Sequence, residues 1–222
     1  MRIEFLYRYP VKGLTAEALE VAEVEAGGCI PWDRAFALAQ GDSGFDPDAP
    51  VWRQKANFLC QMKNARAAAL FSFFDPRSGM LAIRAPDGSS VVENALEEAG
   101  RERIGSFLTA YMGDEARGTP RFHHVPGHSF CDQRGKVVSL INLASLRDFE
   151  AKVGARRHRR RFRANVWFSG ASAWSERCDT CMRIRSGPSR ALRSRRDSPI
   201  IPTSPGNSSA LSALRRRDSA AT

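Results

Sequence analysis

No run of about 18 apolar residues occurs in this 222-residue chain, so no membrane-spanning helix is expected. The N-terminus carries Glu4 early and no apolar stretch long enough for a signal peptide, and a cytoplasmic location is expected. Cysteine is sparse, with Cys29, Cys60, Cys131, Cys178 and Cys181 the five present. An odd count at scattered spacing without an export signal argues against a disulfide framework and for free thiols. Aromatic residues are missing from one part of the chain: all 20 lie in the first 174 residues and none in the last 48. That last part is rich in Arg, Ser, Pro and Ala and has no sustained apolar period. It cannot bury enough surface to offset the entropy of ordering it, so 177–222 is expected to be a disordered basic tail. There is no internal repeat and no evident nucleophile constellation. The phrase Gly100-Arg101-Glu102-Arg103-Ile104-Gly105 is not a phosphate loop.

Charge is divided as unevenly as the aromatics. Residues 1–150 hold 17 Lys and Arg against 20 Asp and Glu, whereas 151–222 hold 17 against 4. The net charge of +10 therefore belongs entirely to the last third. The run Arg156 to Arg161 reads first as a solvated connector that adds positive potential to its neighbourhood. The tail lacks interleaved aromatics for base stacking, so no specific nucleic-acid partner is expected.

The remaining pattern predicts a mainly β protein with some helix, of the α+β class. Ile3, Phe5 and Tyr7 alternate with Glu4, Leu6 and Arg8, and Leu19, Val21 and Val24 continue the strand signal before Gly27-Gly28. Ala35 to Ala39 is a short apolar run of buried-strand length. Residues 41–50 are an Asp-, Gly- and Pro-rich loop. A hairpin is expected over 66–93, with turns at Asp75 to Gly79 and Asp87-Gly88. Helix is predicted from Val92 to about Tyr111, and loop over 113–135. Val137 to Ile141 reads as a strand. Leu143 to Val153 reads as a helix capped by Asn142, with Leu146, Phe149 and Val153 on one face. Asn165 to Phe168 is a further strand.

Four phrases occur in a fixed order: Tyr9-Pro10-Val11-Lys12-Gly13, Pro31-Trp32-Asp33-Arg34, Ser139-Leu140-Ile141-Asn142-Leu143-Ala144-Ser145-Leu146, and Arg161-Phe162-Arg163-Ala164-Asn165. Together they resemble the MOSC family, proteins related to the C-terminal domain of molybdenum cofactor sulfurase. In particular they resemble members carrying the MOSC N-terminal β-barrel domain. The resemblance spans roughly residues 1–176. It implies an N-terminal β-barrel domain over 1–118, an incomplete MOSC β-barrel over 119–176, and the tail beyond.

What the resemblance further implies is binding of the molybdenum cofactor (molybdopterin), a pterin dithiolene bearing a phosphate. Family activities include the reduction of N-hydroxylated compounds and sulfur transfer, so an oxidoreductase or sulfurtransferase is implied. An anionic cofactor needs fixed cations and amide donors. Lys12, Arg34 and Arg163 match family positions that supply basic groups. Ser139, Asn142 and Asn165 match its polar contacts. Ser139 and Asn142 would equally serve to cap the helix that follows. Pyridoxal phosphate binding enters only as a property attached to the family, since nothing here marks a Schiff-base lysine. A small-molecule substrate and a separate electron-donor protein are implied partners, with no membrane partner.

Molybdenum favours a soft thiolate. In the family that cysteine lies a β-rich segment beyond the Arg-Phe-Arg-x-Asn phrase. Here Arg177-Cys178 has the right dipeptide only 13 residues after Asn165, without the segment between, and Cys178 is not assigned. Cys178-Asp179-Thr180-Cys181 is one C-x-x-C pair, and structural zinc needs four ligands. The composition break and the lost motif together point to a truncated or frameshifted end. Two other functional classes follow from the same residues: an inactive, incomplete MOSC fragment, and a basic accessory protein binding nucleic acid through 156–222.

Overall fold

Alternating apolar residues near the N-terminus form the first strand of a computed structural model that describes residues 1–170 and 190–193. In chain order the elements are β1 (Arg2–Arg8), β2 (Glu17–Leu19), β3 (Val21–Val24), β4 (Phe36–Ala39), β5 (Phe71–Phe74), β6 (Met80–Arg84), β7 (Ser90–Asn94), α1 (Glu98–Met112), β8 (Arg121–His124), β9 (Leu140–Asn142), α2 (Leu143–Val153), β10 (Val166–Ser169) and β11 (Arg190–Arg193). The protein is thus mainly strands with two α-helices. The strands form sheets ordered β2-β1-β10-β9, β3-β11, β4-β8 and β5-β6-β7, and among the described residues none closes into a barrel. No helix among them is long and apolar enough to cross a membrane.

The described residues fall into two compact units whose segments interleave along the chain. One comprises Met1–Arg8, Ala16–Pro31 and the stretch from Gly135 onward. Here β1 is central, antiparallel to β2 and β10, while β10 is parallel to β9. Leu6, Ala22, Val24, Ile30 and Val166 make its core. Cross-strand partners Arg8 and Glu17 are both buried and joined by a 2.7 Å ion pair.

The other unit comprises Tyr9–Thr15 and Trp32–Arg134. The run predicted over 35–39 is β4, buried at every position because β8 covers one edge and the core packs on its faces. Phe36 lies among Phe74, Phe122 and His124. The meander β5-β6-β7 follows the turns expected at 75–79 and 87–88. Helix α1 buries Ile104, Leu108 and Met112, one residue per turn at i, i+4 and i+8.

Three local expectations are corrected. The helix expected from Val92 starts at Glu98, because Val91 and Val92 pair with Ile83 and Ala82 in β7. Residues 121–124, expected as loop, form β8, since Phe122 and His124 oppose Leu38 and Phe36. Within the expected disordered tail, Arg190–Arg193 form β11 antiparallel to β3, and Leu192 packs on the Ala22–Val24 cluster. The rest of 177–222, including Cys178 and Cys181, lies outside the described residues.

Candidate functional site

The first two sequence phrases are laced together by main-chain hydrogen bonds. Arg34 N donates to Tyr9 O at 2.7 Å, Phe36 N to Pro10 O at 3.0 Å, and Lys12 N to Phe36 O at 2.8 Å. The Asp33 carboxylate, itself buried, accepts from Tyr9 N at 2.7 Å and also holds the Arg34 guanidinium. That guanidinium lies 4.4 Å from the Tyr9 ring centroid, a stacked cation–π arrangement.

Gly13 closes the first phrase for a steric reason. Its φ is +86°, and a Cβ there would sit 2.6 Å from Leu59 O, a backbone atom that cannot swing away. The chain turns immediately after Lys12, whose buried Nζ lies 5.6 Å from the Phe58 ring centroid.

Lys12 is only 4 % exposed. Its Nζ donates to Phe130 O at 2.7 Å and to the Asp132 carboxylate, whose side chain is 61 % exposed. Burial lowers the Lys12 pKa from its ordinary value, nearby Arg34 lowers it further, and Asp132 only partly restores it. Desolvation raises the Asp132 carboxyl, but the hydrogen bond and charge of Lys12, with Lys55 and Arg34 beyond, outweigh it and hold it below its ordinary value. The result is a buried ammonium paired with a partly exposed carboxylate that also feels the charges of Lys55 and Arg34.

Backbone strain marks the same places. Among described residues, the non-glycine positions with left-handed φ are Trp32 at 65°, Arg34 at 52° and Arg163 at 53°. Such conformations cost of order 1–3 kcal/mol each and concentrate at functional sites. Two of the three are arginines the sequence had singled out, and the third lies between Pro31 and Asp33. Trp32 is held in this conformation by ring contacts with Phe74 at 5.0 Å and His124 at 5.8 Å.

The other four predicted residues belong to the first unit. Asn165, 2 % exposed, is a cross-tie. Its Oδ1 accepts from Ser139 N at 3.1 Å and Ser139 Oγ at 2.8 Å, and its Nδ2 donates to Tyr7 O at 3.2 Å. One amide thus joins β1 to the chain entering β9 and the chain entering β10. Asn142 caps α2 by accepting from Ala144 N at 2.9 Å. Arg163 ends a short 3-10 turn, Arg159–Phe162, with its N–H donating to Arg160 O.

The structure therefore places Lys12 with Arg34 in one unit, and Ser139 with Asn165, Asn142 and Arg163 in the other. Sequence reasoning missed Phe130 and Asp132, since a separation of 120 residues between Lys12 and Asp132 leaves no local signal. It also missed Arg159, whose guanidinium lies 3.6 Å from the Phe5 ring centroid and donates to the Tyr7 hydroxyl at 3.1 Å.

No group of three His, Cys, Asp or Glu able to hold a metal ion occurs among the described residues. Cys60 is buried and is a free thiol. Cys131 is buried and its sulfur meets Gln133 O at 3.0 Å.

Residues 1–117 match the family model of the MOSC N-terminal beta barrel domain. No curated protein and no solved structure matches the chain.

Proposed function

This chain belongs to the family carrying the MOSC N-terminal beta barrel domain, and from that premise we propose that it binds the molybdenum cofactor through its phosphate and pterin. MOSC domains are associated with molybdenum-cofactor-binding proteins in general. The observation that carries the reading is the buried Lys12 ammonium, which donates to the partly exposed Asp132 carboxylate. Lys12 is desolvated and lies in the field of Arg34, and a phosphate at its ammonium would supply negative charge that offsets both.

The residues fit the anionic part of the cofactor. In this reading Arg34, with its fork fixed by Asp33 and stacked on Tyr9, orients a phosphate or pterin. Lys12 would hold the phosphate, its ammonium donating there in place of its present bond to Asp132. Arg163, Asn142, Ser139 and Asn165 lie in the other unit and stay as contacts implied by the family resemblance. Of these, Asn165 and Ser139 act mainly by holding each other, because the Asn165 oxygen already accepts two donors. No described cysteine is assigned to the metal.

When bound, the cofactor supplies a molybdenum centre able to exchange two electrons or carry sulfur. The chain would then act on a small molecule, by reduction of an N-hydroxylated compound with electrons from a separate protein, or by sulfur transfer. The reading keeps 1–118 as the N-terminal β-barrel domain and 119–176 as the start of the MOSC domain, in a cytoplasmic protein.

The test is expression in a host that makes the cofactor, followed by pterin fluorescence after oxidation and molybdenum by mass spectrometry. Near-stoichiometric pterin in the wild type is expected, falling about tenfold in folded Lys12→Gln and Arg34→Gln variants. A folded wild type that retains no pterin sinks the reading.

A further inference from the structure

The face of α2 that the sequence marks as apolar is not buried. Leu146 is half-buried, while Phe149 is 43 % and Val153 48 % exposed, one turn apart. Phe162, 40 % exposed, meets Phe149 edge to face at 5.8 Å. Single exposed apolar residues are ordinary; three contiguous ones, two of them phenylalanine, mark a contact surface.

Charge identifies the partner. Residues 143–163 hold eight Lys and Arg against two acids, Asp148 and Glu150. Arg147, Lys152, Arg156, Arg157, Arg160 and Arg161 are all exposed around the three apolar side chains. The segment 171–222 brings no complementary charge, adding ten arginines against four acids. A partner for this surface must be anionic and must accept inserted phenylalanine and valine.

We propose that α2 and the Arg156–Phe162 segment form a peripheral docking surface for an anionic lipid bilayer. Phe149, Val153 and Phe162 would enter the headgroup–acyl boundary, and the flanking arginines would lie at the level of the phosphates. The resemblance implies no membrane partner and the sequence has no membrane span, but a peripheral contact of this kind needs no span. Single-stranded nucleic acid fits less well. The Phe149 and Phe162 rings are at 88°, which offers no parallel platform for successive bases, and Val153 has no π face. The proposal is independent of cofactor binding, since none of the three apolar residues is assigned to that site.

The test is co-sedimentation of the full chain with phosphatidylcholine vesicles, with and without about 30 % phosphatidylserine, at about 0.1 M and 0.5 M salt. Binding to the anionic vesicles alone, weakened at high salt, is expected. Phe149→Ser combined with Val153→Ser should weaken it about tenfold or more while leaving heparin retention unchanged. Far-UV circular dichroism and the melting temperature report whether that variant folds. If it does not, Phe162→Ser alone is measured and should weaken vesicle binding severalfold.

No vesicle binding by the folded wild type overturns the proposal. So does binding that survives the folded Ser variant, which would mean charge alone. Displacement from the vesicles by a single-stranded oligonucleotide whose own binding also drops in the Ser variant would assign the face to nucleic acid instead.

Discussion

Lys12 Nζ donates to the carboxylate of Asp132 across 120 residues of sequence, and the lysine is buried while the aspartate is largely exposed. The pair is asymmetric in consequence. Water screens and solvates the carboxylate, but the ammonium depends on Asp132 and the Phe130 carbonyl for nearly all its compensation.

Asp132→Ala should therefore destabilise the fold by about 1–3 kcal/mol, because it leaves the buried ammonium with one carbonyl. Lys12→Met removes the charge together with its desolvation and should cost about 1 kcal/mol or less. Urea denaturation of both variants and the double variant tests this. A larger loss for Lys12→Met than for Asp132→Ala would contradict it.

Gly13→Ala should cost about 2–3 kcal/mol, combining left-handed backbone with a Cβ driven against Leu59 O. Gly27 is also left-handed, but a Cβ added there would meet nothing within 4 Å, so it serves as the control. Gly27→Ala should cost about 1 kcal/mol. Equal losses in chemical denaturation would mean that close approach at Gly13 contributes nothing.

Asn165→Ala removes the acceptor of two Ser139 donors and the donor to Tyr7 O at a buried position. A loss of about 2–4 kcal/mol is expected, against about 1 kcal/mol for Ser139→Ala, which leaves the Ser139 N–H bond in place. Amide hydrogen exchange should show β1 and β10 losing protection together. Exchange confined to residues 165–169 would refute the cross-tie.

Acid should weaken the fold through its paired histidines. Burial lowers the pKa of both His123 and His124 below the ordinary value of 6.5, helped by Arg101, with Arg121 adding to the effect at His123. The unfolded chain then binds protons that the folded one resists. Stability contributed by keeping these rings neutral is complete above pH 6.5 and is lost as pH falls through the folded values. The melting temperature should fall between about pH 6.5 and 5, and His123→Gln with His124→Gln should flatten that slope. An unchanged slope in the double variant would assign the acid sensitivity to carboxylates such as Asp132.

Some of this was legible in the sequence because the cause is local. The helix Leu143–Val153 and its Asn142 cap occur where the apolar spacing and the cap residue placed them. So do the buried run at 36–39 and the turn between β5 and β6, each governed by neighbours a few residues away. Of the candidate residues, Lys12 and Arg34 lie in one unit on phrases joined by main-chain hydrogen bonds, each against a charged or aromatic partner.

Tertiary structure alone decided what depended on distant partners. Residues 121–124 became a strand because Phe36 and Leu38 in β4 offered an apolar edge more than 80 residues upstream, and Val92 left the helix pattern to pair with Ala82. Asn165 ties β1 to the chain entering β9 through Tyr7 and Ser139, partners 158 and 26 residues away. The α2 stripe of Leu146, Phe149 and Val153, which by periodicity alone belongs to a core, is left largely open. Periodicity specifies which side chains share a face; only the packed chain settles whether another element comes to cover that face.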